Sequence, residues 1–210
     1  NSTVGGFIHT DSGAVNVGES SIVDGGISTS DGVVTLKTNT SVRGNISTTK
    51  GAVNVGDSST IDGGITTTEG AVTLKENVKV GGDINTTEGA VNVGDSSIID
   101  GDISTTKGVV ELNKNINVGG SVTTIAGDIA IGSGSSICDN VASTGAGVIT
   151  VNKNIQIGGD IRNDVGAITV GPGSTVGGDI MITGAGVVTL NGNLFGGNIS
   201  TIHSDVNLKD

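Results

Sequence analysis

Apolar and polar positions along this chain recur with a fixed period. A glycine followed by a Val/Ile-x-Val/Leu pair returns every 19 or 20 residues, at Gly13, Gly32, Gly51, Gly70, Gly89, Gly108, Gly127, Gly147, Gly166 and Gly186. With that glycine as position 1, apolar side chains fall at positions 3, 5, 11 and 15, and positions 9 and 17 are mixed. In the unit from Gly70 these six places hold Val72, Leu74, Val80, Ile84, Val78 and Thr86, and in the unit from Gly108 they hold Val110, Leu112, Val118, Val122, Ile116 and Thr124. A spacing of two within a pair is that of a strand with one buried face. The longer intervals between pairs place three short strands in each unit, each turned relative to the last. The pattern predicts an all-β fold, a single-stranded three-sided β-helix (β-solenoid) of about 19 residues per coil. It has roughly ten coils plus partial terminal coils, and residues 1–210 form one domain.

The corners carry the residues that sharp turns need. Position 1 is glycine throughout, and position 13 is Gly25, Gly44, Gly63, Gly82, Gly101, Gly120, Gly159 or Gly178, with Asp139 the exception. Such places require either positive φ or close approach of neighbouring backbones. A third corner reads Gly-x-Ser/Gly in one coil type and Lys/Asn-x-Asn in the other. There Asn39, Asn77, Asn115, Asn154 and Asn193 are expected to be left-handed. The two types alternate, so the sequence period in the first half is two coils.

Composition sharpens this picture. The chain has 38 Gly, one Pro, no Trp or Tyr and two Phe, so its core must be built from Val, Ile, Leu and Thr in a narrow space. A net charge of −11 argues against nucleic-acid partners, whose affinity comes largely from Lys and Arg on phosphates, and against anionic membrane surfaces. No apolar run approaches the ~18 residues of a transmembrane segment. The chain opens in mid-repeat at Asn1, so the want of a visible signal peptide carries little weight. Its acidic surface rich in Ser, Thr and Gly favours an exported or cell-envelope protein over a cytoplasmic one. A single cysteine, Cys138, excludes an internal disulfide and is expected to point outward.

The runs Val80-Gly81-Gly82-Asp83-Ile84, Val118-Gly119-Gly120 and Val170-Gly171-Pro172-Gly173-Ser174-Thr175-Val176-Gly177-Gly178-Asp179-Ile180 resemble those of bactofilins, the polymer-forming bacterial cytoskeletal family. The resemblance covers most of the chain. It implies a right-handed β-helix, a non-enzymatic structural role and assembly end to end.

Candidate sites are few. His9 and His203 lie in the terminal coils, far apart, and no partner cluster surrounds either, so no catalytic, cofactor or metal residues are assigned. Corner insertions never exceed one residue, which leaves no loops to build an enzyme's cleft. Acidic residues recur at Glu19, Asp57 and Asp95 and at Asp24, Asp62 and Asp100. Like members two coils apart are about 10 Å from one another, too far to share a calcium ion, and Lys37 and Lys75 are expected to relieve their repulsion. Outward positions 16 and 18 form a hydroxyl ladder: Ser28, Ser30, Ser47, Thr49, Thr66, Thr68, Thr87, Ser104 and Thr106. Such an array is similar to the binding faces of ice-binding solenoids, and as an adhesin surface it would suit an extended cell-surface polymer. Phe7 and Phe195, near the two ends, are candidate end contacts or plugs of the core. Neither end shows a recognisable cap, and bare ladder edges invite self-association of one molecule on the next.

Overall fold

The structure, a computed structural model, describes residues 1–192 and 194–209, with the side chains of Leu194 and Phe195 outside the described residues. Every element is a strand. Each winding contributes one at positions 3–5, one at positions 10–11 and one from position 15 onward, as in Val72–Leu74, Lys79–Val80 and Ile84–Thr86. All strands pair in parallel with their equivalents one winding away, so Val72 lies between Val53 and Val91, and Ile84 between Ile65 and Ile103. The face at positions 10–11 is an eleven-stranded sheet running from Thr3–Val4 to Leu194–Phe195. The other two faces join into one nineteen-stranded sheet, because near the C-terminal end Ile161–Val170, Ile180–Asn191 and Ile199–Lys209 run through the corner between them. The result is a β-solenoid of eleven windings. None of its described residues forms a helix long and apolar enough to cross a membrane.

The core is a single stack. Val72, Val80 and Ile84 are fully buried in one cluster that runs from Val15 to Leu190. Because strands are about 4.8 Å apart, each aliphatic side chain rests on its counterparts above and below, and from Val15 to Leu190 the narrow column closes on aliphatic residues alone.

Corner chemistry follows two rules. At position 8 the backbone is left-handed in both coil types, at Asn39, Asn77, Asn115 and Asn154 as expected, and also at Ser20, Ser58 and Ser96 with φ between 53° and 60°. Asn193 lies outside the described residues. The glycines of positions 1 and 13 answer mainly to the other requirement, close approach. Of those at position 1 only Gly13 and Gly166 have positive φ. A Cβ on Gly44 would stand 2.6 Å from the nitrogen of Gly26, and one on Gly70 would overlap the carbonyl of Gly51. Backbones of successive windings touch at these corners.

Position 9 explains the two-coil period. Buried serines in the glycine-cornered coils reach back one winding and bond twice. Ser59 Oγ accepts the N–H of Thr40 at 3.1 Å and donates to the carbonyl of Lys37 at 3.1 Å. Ser97 does the same with Val78 and Lys75, Ser135 with Ile116 and Asn113, and Ser174 with Ile155 and Asn152. These bonds reach corner groups that the backbone ladder leaves over, each of which would cost about 1–3 kcal/mol if buried and unpaired; the Lys37 carbonyl alone has a second donor, Thr40 Oγ1 at 2.6 Å. Windings are thereby tied in pairs.

Candidate functional site

Three regions carry chemistry: the outward hydroxyl face, a carboxylate-amide column at one corner, and the two ends of the stack.

The strand register places the hydroxyl ladder on one face. Ser28, Ser47, Thr66, Asn85, Ser104 and Thr123 follow one another at position 16, beginning from His9. Beside them at position 18 stand Ser30, Thr49, Thr68, Thr87 and Thr106. Ser30, Ser47, Thr49, Thr66, Thr68 and Thr87 are exposed, and Ser28, Ser104 and Thr106 are half-buried. The inward neighbours Thr29, Thr48 and Thr67 donate to the carbonyls of Gly13, Gly32 and Gly51, whereas the outward hydroxyls have no partner among the described residues. Toward the C-terminal end the array is broken by Ile125, Ala142, Arg162 and Met181.

The second region was not legible in the sequence. At position 14 a side-chain oxygen of one winding accepts the backbone N–H of the same position in the next. Asp83 serves Asp102 at 2.9 Å, Asp102 serves Ser121 at 2.7 Å, and Ser121 serves Asn140 at 3.4 Å. Asn140, Asp160 and Asp179 continue the column to Asp160, Asp179 and Asn198, each at 2.8 Å. A side-chain oxygen is used because the sheet hydrogen bonds bypass this N–H at the corner. The aspartates of the Gly-Gly-Asp-Ile runs are therefore structural acceptors. The N–H of Asp179, and secondarily the Arg162 guanidinium, hold the Asp160 carboxyl below the usual aspartate range. Asp57 and Asp95 perform the same service at another corner, for the N–H groups of Glu76 and Lys114.

The remaining charges are solvated. Arg43 and Lys79 pair with Asp24 and Asp100, at 2.7 and 3.2 Å, and among the described residues Lys37 and Lys75 make no ion pair. The pairs form because position 12 of one winding lies beside positions 10 and 12 of its neighbours, whereas Lys37 and Lys75 sit at a different corner. His9 lies 3.3 Å from Asp11 with both exposed, and His203 is exposed in the last winding. Among the described residues no three His, Cys, Asp or Glu side chains converge to hold a metal ion. Cys138 is exposed beside an open hollow of about 480 Å³ bordered by Ser136, Gln156 and Gly177. Among the described residues one buried side-chain atom lacks a partner. Asn163 replaces the usual Thr at position 17, and its Nδ2 donates to the Gly147 carbonyl at 2.8 Å while Oδ1 accepts nothing.

Comparison with protein families, curated proteins and solved structures finds no match to this chain.

The ends of the stack are the third region. Interior column residues are 0–3 % exposed, whereas Val206 and Leu208, in register with Val188 and Leu190, are 43 % and 72 % exposed. At the other end Val4, in register with Val23, is 37 % exposed, and Ile8 is half-buried. Among the described residues nothing folds over either end. Phe7 is 83 % exposed at position 14, so it does not plug the core. The backbone of Phe195 pairs with Val176, at a position that carries core residues elsewhere, and its side chain lies outside the described residues.

Proposed function

We propose that this chain is a non-enzymatic structural solenoid that assembles end to end, as the resemblance to bactofilins implies. The observation that supports the reading is the state of the outermost described windings: core positions there stand in solvent, beside strand edges that pair with no other described residue. Exposed, flat strand edges next to apolar side chains are templates for further pairing, and a contact between unlike ends leaves a new free end each time, so it propagates. Sedimentation velocity at rising protein concentration, with electron microscopy of the same samples, tests this. Rods that lengthen with concentration are expected. Leu208→Lys, at a side chain already in water, should weaken association at least ~10-fold, about 1.4 kcal/mol, without changing the circular dichroism spectrum. A wild-type chain that stays monomeric at the highest soluble concentration overturns the proposal.

A second reading is favoured by the outward hydroxyls, which stand in register over six windings and have no partner among the described residues. They suit a repeating, water-bearing target such as ice or an extended surface polymer. Thermal hysteresis that is present in the wild type and lost in Thr68→Lys would carry this reading, and no hysteresis or ice shaping in the wild type would end it for ice.

A further inference from the structure

We propose that the face carrying positions 4 to 7 is a binding groove for an uncharged, straight, β-linked glycan strand of the cellulose or chitin type. This face lies apart from the hydroxyl file, and the proposal does not depend on end-to-end assembly.

Corner chemistry corrugates the groove. At position 6, Gly56, Gly94 and Gly132 alternate with Lys37, Lys75 and Asn113. The glycines cannot be replaced, since a Cβ on Gly94 would stand 2.5 Å from the carbonyl carbon of Lys75, and one on Gly56 2.7 Å from that of Lys37. Open hollows lie at two of them. The hollow at Gly94, about 480 Å³, is lined by Thr73, Lys75, Asn92, Asn113, Asp57 and Asp95. Another, of about 500 Å³, lies at Gly132, two windings further along.

Position 4 keeps the same rhythm. Its register runs Asn16, Thr35, Asn54, Thr73, Asn92, so amides recur about 9.6 Å apart. Asn54 and Asn92 are half-buried, and neither amide has a hydrogen-bond partner among the described residues. Asp57 and Asp95 each accept a backbone N–H through Oδ1, and Oδ2 of each accepts nothing among those residues. Every two windings therefore offer an amide that donates and accepts, a carboxylate oxygen that accepts and an ammonium that donates. Such a set suits hydroxyl groups, which do both.

Repeat length and charge select the ligand. A straight β-linked glycan turns each sugar over relative to the last, so one edge faces a surface once per disaccharide, roughly two strand spacings. A peptide strand repeats on one face every ~6.7 Å and falls out of step. A polyproline helix repeats every ~9.3 Å, but grooves that take it are lined with aromatic rings, and this chain has no Trp or Tyr. The net charge of −11 and the carboxylates of the hollow repel polyanions. Affinity accumulates along the strand, because each further unit binds at the effective concentration set by the first.

The test measures retention on insoluble cellulose and chitin, with calorimetry on their soluble oligosaccharides of increasing length. Amylose, whose α-linkages coil the chain, and polyproline are the comparators. The variant is Asn54→Thr with Asn92→Thr, which erases the two-winding rhythm using the residue that Thr35 and Thr73 already place at this position. Binding that strengthens with oligosaccharide length and weakens at least ~5-fold in the double variant is expected, with Thr68→Lys on the hydroxyl face leaving it unchanged. Retention on one polymer alone supports the proposal and names the sugar. No retention on either polymer overturns it. So does retention that Thr68→Lys abolishes and the double variant keeps, which would give the polymer to the hydroxyl face. Equal binding of amylose or polyproline overturns the match of repeats, and the proposal with it.

Discussion

Gly70→Ala is expected to destabilise the solenoid by more than ~3 kcal/mol, although it adds one methyl group and Gly70 has an ordinary φ. The added Cβ would overlap the carbonyl of Gly51 and stand 2.9 Å from the nitrogen of Ala52. These are backbone atoms, and they cannot retreat cheaply, because Val53 N–H is bonded to Ala71 and Val72 N–H to Ala90, each at 2.9 Å, on either side of the corner. Relief requires the windings to part, which breaks ladder bonds and opens the column at Val72. A matched control is Gly5→Ala, where a Cβ meets nothing within 4 Å; there the change should fall within about ±0.5 kcal/mol. Urea unfolding of the two variants followed by circular dichroism makes the comparison. Equal midpoints would show that the glycine stack is a matter of turn composition and not of contact between windings.

That glycine shows where sequence reasoning reached and where it stopped. Val72, Leu74, Val80 and Ile84 announced the buried column because inward residues repeat along the chain, and a period is visible in one dimension. The corner glycines were visible too, but their cause was not. At most positions it lies in a carbonyl 19 residues away, which only the stacked arrangement brings within contact. Asp83 and Ser97 were obscured for the same reason. Read locally, one is a surface acid and the other an impurity at a mixed position, yet each bonds the backbone of an adjacent winding. Lys37 and Lys75 were set among the recurring acids by their position in the alternation, while the ion pairs that form, Arg43 with Asp24 and Lys79 with Asp100, follow lateral proximity that the alternation does not state. The hydroxyl file from Ser28 to Thr106 was legible as a set, since register follows from the period. Phe7 was legible only as an oddity near an end, because whether a side chain enters the column or leaves it depends on corner geometry that no local pattern states.

The quasi-one-dimensional core also predicts how damage spreads. Ile84 is fully buried, stacked between Ile65 and Ile103, and Ile84→Ala should cost about 2–5 kcal/mol through lost burial and a residual cavity. The same change at half-buried Ile8, in the first winding, should cost less than ~1.5 kcal/mol, since there is less contact to lose. The distribution of the loss matters more than its size. In a globular domain each core residue touches elements far apart in sequence, so a cavity lowers the stability of the whole. Here each winding contacts only its two neighbours, and stability is a sum of nearest-neighbour terms. A weak winding at Ile84 therefore divides the stack into two segments whose own interfaces are intact. Native-state hydrogen exchange should show amides of Ile65, Ile84 and Ile103 losing protection by the full amount, while those of Ile157, Ile168 and Val170 keep most of theirs. Equal loss at Ile65 and Ile168 would mean that the eleven windings unfold as one unit, and coupling would then have to reach well beyond adjacent strands.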